Sequence, residues 1–324
     1  MLAPGFRDVG SGAPKARQGR CESAGVFLPR QAFLSGATVG RMNSGVVLIC
    51  SAPRDDVVDT VDSVQAFLPD WRVVVIDDGI PDLRGDGLPD AVTVLPPLNY
   101  PRNKFGGLWM KYCYGLNFIL VNDPPLFILQ LDADALVVSS GLGTEIERVF
   151  ADPQVGLAGV HRIDPSGGRR DFSPIARAIA AETEGLRSWI RPLARGPLRR
   201  LLVDARRHGY ETGEHALGGA TVIRTKMLED WARRGWLELK GLQTSHVPDD
   251  AILSLATRAS GYTIAELGGR DGPFAVTWKG LPASPPELTA SGALVVHSVR
   301  SWKDWTETEI RSFFRDRRRN VSAD

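Results

Sequence analysis

The sequence predicts an α/β fold built on a mostly parallel central sheet flanked by helices. Three observations predict it. Short, continuously apolar runs recur, at residues 46–49, 73–76, 92–95 and 126–131. Segments with apolar residues at helical spacing separate them. Each of three runs stops abruptly at polar residues: Ser51, Asp77-Asp78, and Asp132-Ala133-Asp134. A strand apolar on every residue is buried on both faces, as in a parallel sheet covered by helices. In such sheets ligands gather beyond the carboxyl ends of the strands.

The elements follow in order. Val46-Val47-Leu48-Ile49 is the first strand, and Asp55-Asp56 open a helix with Val57, Val61, Val64 and Leu68 on one face. Val73-Val74-Val75-Ile76 is the second strand and Val92-Thr93-Val94-Leu95 the third. A helix with Leu108, Tyr112, Leu116 and Leu120 at period four precedes the fourth strand, 126–131. A fifth is read at 155–160, and residues 161–216 form a helical insertion. Strand pattern returns at 218–224, a helix begins near Asp250, and strands at 262–267 and 294–296 follow, the last ending in His297.

The chain has 324 residues, of which 43% are hydrophobic, enough for a sizeable core. Its 39 basic and 38 acidic side chains leave a net charge of +1, which gives no overall field for nucleic acid or an anionic membrane. Three scattered cysteines, Cys21, Cys50 and Cys113, show neither metal spacing nor a disulfide framework and suit a reducing, cytoplasmic compartment. No run reaches the roughly 18 apolar residues of a membrane helix, and no signal-peptide core is present. Residues 1–42, rich in Gly, Pro, Ala, Ser and Arg, read as a disordered extension, with Met42 an alternative start. Domain boundaries follow: residues 43–305 as one catalytic domain and 306–324 as a helix and basic tail.

Asp132 and Asp134 stand at the mouth of a buried strand. Side chains two apart on a strand point the same way, so both carboxylates face one ion. Two carboxylates without Cys neighbours suit Mg²⁺ or Mn²⁺. Such an ion neutralises a departing diphosphate. Asp249 and Asp250, after Pro248, open a helix, where acids also favour the dipole.

The segment 127–138, FILQLDADALVV, resembles the metal-binding DxD segment of GT-A nucleotide-sugar glycosyltransferases. Asp77-Asp78-Gly79 is similar to the nucleoside-binding turn of their family 2, and Asp249-Asp250-Ala251-Ile252-Leu253 to its E-D-x-x-L. His297, Lys303 and Trp305 fall at the spacing of a family 8 C-terminal motif, with Arg300 where that motif has Gly and Asp304 where it has Pro. The resemblance, spanning about residues 44–305, implies a GT-A fold and transfer of a sugar from a nucleotide-sugar donor, UDP favoured and GDP or dTDP open, to a small-molecule or glycan acceptor. It implies Asp132, Asp134 and His297 as metal ligands. Ser51, Asp77, Asp78, Lys111, Asp132 and Lys303 become donor contacts, and Asp250, beside Asp249, the general base of an inverting reaction. Family 8 members retain configuration, so the stereochemistry stays open.

Two rivals are weighed. A haloacid-dehalogenase-like phosphatase would use Asp132 as nucleophile, but its D-x-D ends the first strand of the domain, and Leu136 stands where Thr or Val is usual. An inactive sugar-nucleotide binder would not need Asp250 and His297. The arginines of the insertion (Arg187, Arg191, Arg195, Arg199, Arg200, Arg206, Arg207) read first as solvated faces, with an anionic acceptor or a membrane surface as the alternative. Arg315, Arg317, Arg318 and Arg319 read as a solvated tail, and His161 and His246 receive no role.

Overall fold

The computed structural model describes residues 45–50, 54–77, 88–98, 104–184 and 192–321. Strand β1 (Val46–Cys50) lies between β2 (Arg72–Ile76) and β4 (Phe127–Asp132), parallel to both, and β3 (Val92–Leu95) extends the sheet beyond β2. On the other side of β4 come β7 (Ala220–Arg224), β6 (Val155–Gly159) and β8 (Thr263–Glu266). β7 runs antiparallel to both β4 and β6, while β6 and β8 are parallel. The seven-stranded sheet is therefore mainly parallel with one reversed strand, as the sequence predicts apart from the reversal.

Alternate strand residues enter different cores, as period-two geometry requires. Val46, Leu48 and Ile128 face α2 (Lys104–Val121), α5 (Pro192–Arg207), α6 (Thr225–Arg233) and α7 (Asp249–Ala259). Val47, Ile49 and Leu129 face α1 (Arg54–Phe67) and α3 (Leu142–Val149). The insertion contributes α4 (Ser173–Thr183) and α5 to the first layer. Two 3-10 turns, Trp236–Glu238 and Lys240–Thr244, lead into α7.

A second, small sheet was not foreseen. β5 (Ala135–Val137) pairs antiparallel with β10 (Val295–His297), which runs parallel to β9 (Phe274–Val276). Its outer face packs on α8 (Pro285–Ala290) and α9 (Glu307–Val321). A hairpin, β11 (Ser301–Trp302) and β12 (Trp305–Thr306), precedes α9.

Of the arginines read as a solvated tail, Arg315, Arg317 and Arg319 are exposed, and Arg318 is the correction. α9 lies on α1: Arg318 is buried and pairs with buried Asp59, as does Arg311 at 2.9 Å. An aspartate on the inner face of α1 needs a cation, and α9 supplies two buried ones. Among the described residues no helix is long and apolar enough to cross a membrane. Residues 1–42, Ser51, Asp78 and residues 185–191 lie outside the described residues.

Candidate metal centre and its cleft

β4 delivers Asp132 to the carboxyl edge of the sheet, level with Cys50 of β1. The strand stops there, and Ala133-Asp134 is a turn into β5 rather than more strand. The two carboxylates converge because of that turn, which corrects the reason expected for their approach. β10 brings His297 back to the same place. Asp132, Asp134 and His297 offer one ligand atom each, all within 4.8 Å of one another. Nε2 of His297 is 3.3 Å from Asp134 Oδ1 and 3.9 Å from Asp132 Oδ2.

Each ligand is held by a neighbour. Nδ1 of His297 is 2.8 Å from the Thr277 carbonyl, which can only accept a hydrogen bond, so Nδ1 carries the proton and Nε2 faces the carboxylates. Ser298 Oγ donates to Asp134 Oδ2 at 2.6 Å, and Arg300 Nε lies 2.7 Å from the same oxygen. Tyr112 donates to Asp132 Oδ1 at 2.8 Å; Gln130 donates to the Tyr112 oxygen and accepts from Thr221. Beneath the turn, Thr60 Oγ1 lies 2.8 Å from the Ala133 carbonyl and 2.9 Å from that of Ala135, and Arg311 donates to Ala133 as well.

The electrostatics suit a cation. Desolvation raises the Asp132 carboxyl above its ordinary value, partly offset by His297 and Tyr112. Burial acts the same way on Asp134, but His297, Ser298 and Arg300 outweigh it and hold that carboxyl well below the usual range. Burial lowers His297, yet Asp134 and Asp132 more than reverse this, so its value is raised. The two acids thus attract positive charge to Nε2, a proton or a metal ion. An imidazole beside two carboxylates is a donor set that Mn²⁺ accepts more readily than Mg²⁺.

Gly218-Gly219 links this cluster to α7. The Gly219 carbonyl accepts from Asp132 N at 2.9 Å, and Gly218 N donates to Asp250 Oδ2 at 2.9 Å. Asp250 Oδ1 accepts from Ala251 N at 2.7 Å, so the residue ties the helix start and reaches across to the strand entering β7. Asp249, the first residue of α7, lines a small gap with Tyr112 and Gln130. Desolvation, then the charges of Asp250 and Asp132, raise its carboxyl well above the ordinary range. Both helix-opening acids therefore stand in the electrostatic field of the metal ligands.

Next to Asp250 the chain is locked by Arg170. Its guanidinium donates to the carbonyls of Val160, His161 and His215 and to Nε2 of His215. Burial lowers the His215 value, leaving a neutral ring whose Nδ1 donates to the Gly213 carbonyl. Beyond lies a polar cleft of about 280 Å³ lined by His161, Arg162, Glu214, Arg258 and Glu266. Glu214 lies at its floor, 2.5 Å from Arg162, 3.0 Å from Arg258 and 3.5 Å from His161.

Of the sequence-derived site residues, Asp132, Asp134 and His297 come together, with Asp249 and Asp250 close by. Asp77 is buried at the end of β2, its N–H on the Leu95 carbonyl, and Lys111 is half-buried on α2 next to Tyr112. Lys303, at the hairpin tip, rests its ammonium 4.4 Å from the Trp302 ring centroid rather than on the cluster. Arg300, one strand end away, is the cation that meets a metal ligand. Tyr112, Gln130, Thr221, Thr277, Ser298 and Gly219 were not foreseen. Gln130 carried a signal: it is the one polar residue inside an apolar strand, and a buried amide needs partners.

No protein-family model and no curated protein matches the sequence. Solved structures do. A mannosyltransferase from Pyrobaculum calidifontis, in complex with GDP-Man and Mn²⁺, is similar at 17% identity and TM-score 0.40, over 69% of this chain and 55% of its own. The galactosyltransferase LgtC, in complex with donor and acceptor sugar analogs, is similar at 15% identity and TM-score 0.42, over 84% and 95%. The bifunctional glycosyltransferase WbbM is similar at 11% identity and TM-score 0.45, over 89% and 51%. This chain thus spans about half the length of the first and third.

Proposed function

We propose that this protein is a metal-dependent glycosyltransferase that moves a sugar from a nucleoside-diphosphate sugar to an acceptor hydroxyl or amine. The observation that carries the reading is the convergence of Asp132, Asp134 and His297 at the carboxyl edge of the sheet, with the acidic start of α7 tied to them through Gly218-Gly219. In this reading those three residues hold Mn²⁺, and the bound ion neutralises the departing diphosphate. Tyr112 fixes the rotamer of Asp132, and Thr277 fixes the tautomer of His297. Arg300 adds a second positive charge beside Asp134. Asp250 accepts the proton of the incoming nucleophile, while burial and the neighbouring carboxylates raise the Asp249 carboxyl and disfavour a further negative charge there. Asp77 and, outside the described residues, Ser51 and Asp78 contact the nucleoside; Lys111 and Lys303 complete the donor set proposed from the sequence.

Nucleotide release from UDP-, GDP- and dTDP-sugars, measured with Mn²⁺, with Mg²⁺ and with EDTA, tests the reading. Turnover of one donor that requires the metal supports it. Turnover undiminished in EDTA, or in Asp134→Ala, removes the assigned metal site. Hydrolysis of a simple phosphate ester at a higher rate than any sugar donor would instead favour Asp132 as a phosphatase nucleophile.

A further inference from the structure

The arginines of α5 have no role in the proposed transfer chemistry, yet the helix gathers them. α5 carries five arginines and one aspartate in a chain whose net charge is only +1. Its inner side, with Ala194, Leu198, Leu201, Leu202 and Ala205, is buried in the core against α7 and the turn before it. The outer side presents Leu193, Arg199, Arg200, Val203, Arg206 and Arg207. At about 100° per residue these fall within an arc of roughly 140°. Val203 stands near its middle. Arg199 and Arg206 flank it on one side, Arg200 and Arg207 on the other, each pair two turns apart, or about 10.5 Å.

Two further features set this face apart. Arg199 and Arg200 have no ion-pair or hydrogen-bond partner among the described residues. Arg207 does pair with Asp204 and Arg206 lies 3.9 Å from Glu184, but both guanidiniums remain more than half exposed. Leu193 and Val203 are 65% and 46% exposed in the same arc. Two rows of arginines alone would also meet a nucleic-acid backbone, but the aliphatic Leu193 and Val203 exposed among them gain nothing from phosphates. Together they match a plane of anionic headgroups over an apolar layer, where the guanidiniums meet phosphates and the aliphatics enter the acyl boundary.

We propose that this face of α5 docks on an anionic lipid bilayer. The surface belongs to the helical layer that also holds α7, so a docked membrane lies on the side of the sheet that carries Asp250. The proposal does not depend on the transferase reading.

The test is sedimentation of the full chain with vesicles of phosphatidylcholine alone and of phosphatidylcholine with about a third phosphatidylglycerol, at low and high salt. The chain is expected to bind only the anionic vesicles and to leave them as salt rises. Each arginine near such a surface contributes about fivefold in partition, so Arg199→Glu with Arg200→Glu is expected to weaken binding by at least about twentyfold. Because neither side chain has a partner among the described residues, the melting temperature and donor turnover should not change, and Arg199→Gln with Arg200→Gln should give an intermediate loss. Val203→Asn is expected to weaken binding at every salt concentration without changing the salt slope. Binding that survives the double charge reversal, equal binding to neutral vesicles, or tighter binding to duplex RNA would overturn the proposal.

Discussion

Gly219 lies flat against the imidazole of His297: a Cβ on it would stand 2.5 Å from Nδ1 and 2.6 Å from Cε1. Its φ of +99° is also one that side chains avoid. Gly219→Ala must therefore strain the backbone and push the ring off its Thr277 anchor. Mn²⁺ affinity, read by electron paramagnetic resonance, is expected to fall about 10–100-fold, the usual effect of disturbing a group behind a ligand. An unchanged affinity would remove His297 from the ligand set. Gly218→Ala is the control, since its Cβ would meet Asp250 and not the imidazole.

Asp250→Asn separates base from support. The amide oxygen can still accept from Gly218, and only the short local bond from Ala251 N is lost. A general base contributes typically about 10²–10⁴-fold. A kcat lowered by that factor, with donor KM nearly unchanged and an inverted product anomer by NMR, is expected. An inverted product formed at the parent rate would refute the assignment.

Glu214 links acid stability to the polar cleft. Burial alone would raise its carboxyl, but His161, Arg162 and Arg258 outweigh burial and hold it below the ordinary 4.5. A depressed folded-state value means stabilisation that is complete above about pH 4.5 and lost as pH falls through the folded value. Glu214→Gln is expected to lower stability at pH 7 by about 1–3 kcal/mol, because largely shielded Arg258 and half-exposed Arg162 lose their carboxylate, and to flatten the acid limb of the denaturation profile. Parallel profiles for the two proteins, measured by urea unfolding from pH 3 to 7, would contradict this.

Asp59 holds α9 in place. Removing it leaves Arg311 and Arg318 buried without their shared carboxylate, a change that costs about 3–5 kcal/mol. Asp59→Ala is expected to show that loss by thermal or chemical unfolding. Arg315, 3.5 Å from Asp59 and half exposed, is the contrast: Arg315→Ala should cost less than about 1 kcal/mol. Equal costs would mean that the buried cluster is not what seats the helix.

The main sheet was legible because β1, β2 and β4 carry nearly unbroken apolar runs, a pattern with few other readings. The reversal of β7 was not, since an apolar run carries no direction; only its pairing with β4 and β6 reveals it. β5 and β9 are three residues each, too short to stand out from their surroundings, while β10 was read at 294–296 without its partners. Asp132, Asp134 and His297 were legible as a set because acids and a histidine closing apolar strands are costly unless they serve something. Arg318 was misread because its partner lies 259 positions away. Lys303 was read from its spacing to His297, which could not show that the tight hairpin between Trp302 and Trp305 rests its ammonium over an indole.

The hold of Arg311 on the Ala133 carbonyl makes the turn between Asp132 and Asp134 answerable to α9. Shortening the protein from its carboxyl end should therefore act in steps. Trimming that stops after Arg318 leaves every contact of Asp59 in place. Trimming past Arg318 removes one of the two buried cations at Asp59, and trimming past Arg311 frees the carbonyl and leaves Thr60 alone beneath the turn. Exopeptidase digestion would thus erode ion retention while Asp132, Asp134 and His297 all remain in the polypeptide, and a fusion partner joined at this end must leave α9 seated.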